Sequence, residues 1–419
     1  MNIRVLMYFI LFFLCFFDFL FINIPVGPIH MTLLRVVLLG GIYILLIEQL
    51  VYKKHFYFQS VGYPLLFFFV WFCYGTIQTL WAVDKVGSIK ELYYLVLFIF
   101  LIIMIIRLMS LNFEMKWISR SFSGIGVIMI LICIFEIMTE RHLETSRYVI
   151  EASRFTGTDY KAATGVFYNE NDLSFFFVLV APFFMVGMFS RKYGIAVLNG
   201  ICLLAIVAII FINDAKLAFL AVLSQVVAYL LISKKIKIKY ALISFGSFLL
   251  LLINLLMFTN VGNTFKNILL TLYSGSNLHR MNLYLNGLYS VMESWFLGVG
   301  PGNFKMHIHP QFDTGGNINP HNWWIELLTD FGFIMFCLYI LFFIFMARKL
   351  WCIYTLNIKY SPLAFALLLS LVGFILGSIG PSSLFYFWPV WLLYGVILGL
   401  INFVENQYSQ QLIKKSIYK

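Results

Sequence analysis

Ile89-Lys90-Glu91-Leu92-Tyr93-Tyr94-Leu95-Val96-Leu97-Phe98-Ile99-Phe100-Leu101-Ile102-Ile103-Met104-Ile105-Ile106-Arg107 decides the fold class. Between Glu91 and Arg107 the stretch carries no charge and no helix breaker. About 20 such residues, coiled as a helix, cross the hydrocarbon of a bilayer. The same pattern recurs along the chain. Twelve apolar spans lie near 4–24, 31–51, 61–82, 89–107, 119–139, 172–190, 194–212, 215–233, 240–259, 325–347, 361–379 and 384–404. Of 419 residues, 62% are hydrophobic and 11% charged, and 46 Phe with 24 Tyr outnumber the 29 Lys and Arg and 18 Asp and Glu together. A soluble enzyme on an anchor, a nucleic-acid binder and a transmembrane β-barrel are excluded, the last because its strands would alternate apolar and polar. The expected fold is all-α: a polytopic integral membrane protein of about twelve transmembrane helices, one membrane domain over 1–419, its first helix retained.

All six cysteines fall in or beside apolar helical stretches, so neither a disulfide framework nor a zinc site is expected. With the N-terminus inside, the inner segments hold 18 of the 29 Lys and Arg, including the cluster Lys234-Lys235-Ile236-Lys237-Ile238-Lys239. The positive-inside rule therefore places both termini in the cytoplasm and the two longest loops, 140–171 and 260–324, outside. Thin inner turns leave no room for a nucleotide-binding domain. Any chemistry is expected at the outer face, on a substrate already delivered there.

Within 260–324, the stretch from Met281 to Trp295 repeats apolar residues at helical spacing, with Asn282, Asn286, Ser290 and Glu293 between them. It reads as an amphipathic helix lying on the bundle or in the interface plane. Arg280 precedes it. Gly298-Val299-Gly300-Pro301-Gly302-Asn303-Phe304 follows, a sharp turn with amides available to an anion. It lacks the strand of a dinucleotide fingerprint and the Lys-Ser/Thr of a phosphate loop. Next come Asn319-Pro320-His321-Asn322-Trp323-Trp324. Asn319 reads as an N-cap and Pro320 as the first helical residue, which puts His321 in the first turn of the tenth span. There the helix dipole disfavours the imidazolium and favours a nearby phosphate. On spacing alone, an interfacial aromatic belt is an equal reading. His307 and His309 lack acidic or thiol partners at ligand spacing, so no metal site and no cofactor are expected.

Arg280, the glycine turn and the His321-Asn322-Trp323-Trp324 helix start together resemble the signature of the O-antigen ligase and polymerase superfamily. The His-Asn-Trp-Trp form is most similar to the teichuronic-acid and capsule polymerase branch. Upstream, Arg154-Phe155-Thr156-Gly157-Thr158 with Asn169-Glu170-Asn171-Asp172 resembles the segment that precedes the family's sixth span. The chain departs at Asp214-Ala215-Lys216, where members often carry Ser-Arg, so the cation is kept and the guanidinium fork lost.

The resemblance implies a metal-independent glycosyltransferase at the outer face of a bacterial cytoplasmic membrane. It would use a polyprenyl-diphosphate-linked oligosaccharide as donor and a lipid-linked repeat unit as acceptor, amid membrane lipids and alongside other polysaccharide export proteins. His321 would be the base and Arg280 its catalytic partner. Lys216 and Arg154 would bind the diphosphate, with Asn322, Asn171 and Arg35 in support. A ligase with a different acceptor uses the same residues. A lipid-linked oligosaccharide flippase is the competing class, although related halves are not evident. Asp18, Glu48 and Glu136 lie in or near apolar spans and are functional suspects without an assigned role.

Overall fold

The computed structural model describes residues 3–26, 29–51, 58–110, 115–155, 161–190, 192–233, 276–381 and 385–417. Helices fill almost all of them: α1 Ile3–Phe17, α2 Leu33–Leu50, α3 Gly62–Gln78, α4 Lys85–Ser110, α5 Met115–Thr139, the single turn α6 Arg147–Ile150, α7 Glu170–Gly187, α8 Tyr193–Ile212, α9 Lys216–Ile232, α10 Ser276–Glu293, α11 Trp323–Thr355, α12 Ser361–Gly377 and α13 Trp388–Ile417. A two-stranded antiparallel hairpin, Asn23–Val26 with Ile29–Thr32, joins α1 to α2. Eleven of the twelve apolar spans coincide with a helix. The twelfth, 240–259, and the lysine cluster at 234–239 lie outside the described residues. Among the described residues, seven helices are long and apolar enough to cross a bilayer. The chain is a multi-pass helical membrane protein.

Helices α4, α7, α12 and α13 form the centre: α13 runs along α4, and α12 packs against both α7 and α9. Close approach rests on small residues, as lipid offers no hydrophobic drive for helices to pair. A Cβ on Gly395 of α13 would stand 3.1 Å from Ile105 Cβ and 3.3 Å from Ile102 Cα of α4. Aromatic rings fill the wider gaps, with Phe98 stacked on Trp391 at 4.5 Å. Buried polar groups tie helices across the core. Gln225 Nε2 donates to Val178 O (2.7 Å) and Leu369 O (3.1 Å), and the Tyr339 and Tyr394 hydroxyls pair at 2.5 Å.

Helix α10 runs from Ser276 to Glu293, and its polar row faces the protein. Asn286 Nδ2 donates to Phe312 O (3.2 Å), its Oδ1 accepts from His309 N (2.6 Å), and Asn282 Nδ2 donates to Asp313 O (2.7 Å). The apolar row of Met281, Leu285, Leu288 and Met292 points outward, continuous with exposed Trp295, Phe296 and Leu297. That orientation suits a helix in the membrane interface rather than one laid apolar side down on the bundle.

Replacing Gly395 with Leu should wedge α13 from α4. Thermal unfolding in detergent should show a loss of about 1–3 kcal/mol, the range for overpacking. An unchanged melting profile would contradict this packing.

Candidate active site

The site is built around a broken helix. Gly332, at φ 76° and ψ 177°, interrupts α11 nine residues after it begins, dividing a short segment, 323–331, from a long one. The break frees backbone carbonyls and an N–H, and the chain at 296–300 takes them up. Val299 N donates to Thr329 O (2.9 Å), Gly300 N to Asp330 O (3.0 Å), and Phe333 N to Phe296 O (2.9 Å). In return, the buried Asp330 carboxylate accepts from Gly302 N (2.8 Å) and Phe304 N (3.1 Å). Gly298 and Gly332 pass back to back: a Cβ on Gly298 would lie 2.5 Å from Gly332 N, and one on Gly332 would lie 2.5 Å from Leu297 C. Helix α3 joins the clamp, with Gln78 Nε2 donating to both Leu297 O (2.7 Å) and Asp330 O (3.0 Å). The turn does bind an anion through its amides, but that anion is the protein's own Asp330. This corrects the expectation of amides open to a ligand.

The helix start also differs from the sequence reading. Asn322, not Asn319, is the N-cap: its Oδ1 accepts from Trp324 N (3.0 Å) and Ile325 N (3.4 Å). Trp323 N donates to Ser378 O (3.1 Å), tying the helix to the end of α12. His321 precedes the cap, at a left-handed φ of 48°, so Pro320 lies outside the helix. The left-handed turn at His321 is what moves the start, and propensities at Asn319 and Pro320 do not encode it. His321 is nonetheless neutral, chiefly because burial and then the nearby Arg280 disfavour the imidazolium. Its pKa is lowered to about 4, with the Gly380 backbone hydrogen bond opposing and Arg147 adding to the depression. Gly380 holds one ring nitrogen, while Nδ1 is buried without a partner among the described residues. A donated ring N–H on one side fixes a free lone pair on the other, the arrangement of a general base.

Gly380 also lines a cavity of about 150 Å³ whose wall includes Asn171, Asp214, Lys216 and Arg280. By liquid volume that is room for roughly five waters, a headgroup-sized space. Three residues proposed from separate parts of the sequence, Asn171, Lys216 and Arg280, therefore meet at one cavity, and His321 is linked to its wall through the Gly380 hydrogen bond and the field of Arg280. Lys216 pairs loosely with Asp214 (3.4 Å), and both are exposed, so the pair holds the cation in place without consuming it. Arg280 acts on Tyr284, whose hydroxyl is hydrogen-bonded by the Asn322 side chain. Asn322 thus caps α11 and fastens α10, the helix before it.

The floor of this region is fixed from within the bundle. Glu136, fully buried on α5, accepts from Thr164 N (2.9 Å) and Gly165 N (2.8 Å). Asn213 accepts from Ala163 N (2.9 Å) and donates to Ala163 O (3.0 Å). These bonds anchor the segment that leads to Asn171 and give the intramembrane Glu136 a structural task. Glu48 pairs with Arg107 at 3.0 Å.

Arg154 and Arg35 are not brought to the cavity. Arg154 has a side chain 73% exposed and pairs with Glu151 at 2.9 Å, while Arg35 is buried between α2 and α4 against Tyr94. Arg147 is the residue that sequence reasoning passed over. Its charge reaches His321, and its guanidinium bridges to Glu170 (2.5 Å) and lies over the Tyr148 and Phe155 rings at 5.2 and 5.1 Å. The one available signal was its place among the few cations of the 140–171 loop. His309 packs against the Tyr289 ring at 5.0 Å. Among the described residues, no three of His, Cys, Asp and Glu gather as metal ligands.

An uncharged histidine and two cations thus stand at one end of a helical membrane bundle. Residues 200–340 match the O-antigen ligase family model, which supports the resemblance to the O-antigen ligase and polymerase superfamily. The chain is 25% identical over 357 residues to the teichuronic acid biosynthesis protein TuaE of Bacillus subtilis, covering 82% of this chain and 72% of that one.

Two outcomes follow. Asp330→Ala leaves Gly302 and Phe304 amides unpaired and should cost about 1–3 kcal/mol for each, read by thermal unfolding. His321 should titrate near pH 4 by NMR of ring-labelled protein. Because its folded pKa is depressed below the unfolded value of about 6.5, its share of stability is full above that value and is lost as pH falls toward about 4. A titration near 6.5 would overturn the burial argument.

Proposed function

We propose that the protein is a polymerase of cell-surface polysaccharide that joins polyprenyl-diphosphate-linked repeat units without a metal. The His321 end faces the outside of a bacterial cytoplasmic membrane and both termini face the cytoplasm, as the Lys and Arg distribution supports. The observation that carries the reading is the partnerless Nδ1 of a buried, neutral His321 that is hydrogen-bonded to Gly380 in the wall of a cavity lined by Arg280 and Lys216.

The acceptor hydroxyl attacks the anomeric carbon of the donor glycan and its proton passes to His321 Nδ1. The bond from that carbon to the diphosphate oxygen breaks, and the electron pair leaves with the polyprenyl diphosphate. Arg280 and Lys216 hold the charge that develops there, with Asn171 as a hydrogen-bonding neighbour. Arg147 sets the field behind His321. Arg154, out on the surface with Glu151, is not assigned a part in this step. Removing water from around these groups strengthens each interaction.

The test is reconstitution of the purified chain with one defined polyprenyl-diphosphate repeat unit and mass analysis of the products. A ladder of several units without added acceptor is expected. His321→Ala should lower its rate by about 10²–10⁴, the usual worth of a general base. Arg280→Gln should also slow transfer, with binding of the donor weakened. No ladder from the wild type would sink polymerisation, and a ladder from His321→Ala would sink its role as base. Transfer only to a different added acceptor would identify a ligase.

A further inference from the structure

Arg35 is engaged away from the His321 cavity, and its surroundings point to a second anion. It stands in the first turn of α2, an edge helix of which only Leu34, Arg35, Leu38 and Gly41 are buried. Its side chain is 7% exposed, in the seam with α4. There Nη2 donates to the Tyr94 hydroxyl (2.8 Å), and the guanidinium carbon lies 4.9 Å from the Tyr94 ring centroid. Nε and Nη1 have no partner among the described residues, nor does the buried hydroxyl of the adjacent Tyr93, which lies in the field of Arg35. Asp18 shares that field, with its Oδ1 already accepting from Leu34 N at 2.8 Å. Tyr386 stands edge-on to Tyr94 at 4.7 Å, with the Lys90 ammonium 5.8 Å from its centroid, and Tyr386 donates its hydroxyl to Glu91.

Buried guanidinium N–H groups without acceptors are costly, and a fold that holds them leaves a place for one. Val36, Leu39, Val86 and Ile89 are exposed apolar residues on the same two helices, so the seam borders lipid. An anion that arrives through lipid is a lipid phosphate. Gly380, at His321, and Tyr386, beside Tyr94, lie only six positions apart in the sequence.

We propose that Arg35, with the Tyr93 hydroxyl and Lys90, binds the phosphate of a second lipid-linked substrate, the acceptor. The protein then holds two lipid phosphates at once, one at the cavity of Lys216 and Arg280 and one in the α2–α4 seam. This rests on the polymerase reading and deepens it, since a polymerase has lipid phosphates on both substrates.

The experiment counts bound farnesyl diphosphate on the full chain in phosphatidylcholine nanodiscs, by equilibrium dialysis and without turnover. Wild type should bind two equivalents, and Arg35→Gln and Arg280→Gln should each lose a different one. Arg35→Lys should restore part of the lost binding. Tyr93→Phe, which keeps the packing, should weaken the Arg35-dependent equivalent by about threefold or more. A single equivalent in wild type, unmoved by Arg35→Gln or Tyr93→Phe, overturns the site. If phosphatidylglycerol in the discs removes the second equivalent, the seam binds a phospholipid headgroup and the substrate assignment is overturned. Two equivalents without glycan transfer would leave this site standing while the polymerase reading falls. Transfer with only one equivalent would do the reverse.

Discussion

A carboxylate buried among backbone amides holds the active end of this protein together. In the apolar interior of a membrane bundle every peptide group needs a partner, and a helix supplies its own only while it continues. Helix α11 stops at Gly332 and resumes. The break is stable because the turn after α10 brings matched donors, and because Asp330 faces the amides of Gly302 and Phe304. The short helix before the break is thereby fixed at its far end, while Asn322 and Ser378 fix its beginning. His321, just ahead of the cap, inherits a set position relative to α12 and α10.

From that position the electrostatics follow. Burial and Arg280 keep the imidazole neutral, and the Gly380 hydrogen bond orients it. The neighbouring cations come from three other elements: Lys216 from the tight αL turn at Asp214, Arg280 from α10, and Arg147 from the single turn α6. No one segment could place them. Glu136 and Asn213, reaching from inside the bundle, hold the backbone that leads to Asn171.

Hydropathy made the helices legible, because the need to cover a peptide backbone in lipid leaves a mark about 20 residues long. The histidine, Arg280 and Lys216 were legible through short motifs. What stayed hidden depends on contacts between distant residues. The αL conformation of His321 comes with a helix cap and a tie to Ser378, so Asn319 and Pro320 looked like the start. The glycine turn looked open because its anion lies 28 positions further on. Arg147 and Arg154 sit in one loop and are alike by type, and only the packing of Tyr148 and Phe155 around one of them separates the two. Glu136 looked functional by its depth, and its two backbone contacts were beyond reach of any local pattern.

The clamp also sets where the chain is free to vary in length. The turn at 298–304 is bonded to α3, α4 and α11, with Asn303 accepting from Asp84 N and donating to Ser88, so an inserted residue there would unseat several contacts together. Residues 315–319, by contrast, are exposed along their whole run, two of them glycines at positive φ. Insertions and deletions in this exposed strip would change the surface ahead of His321 and leave the clamp undisturbed. The surface can thus be reshaped there while the clamp stays as it is.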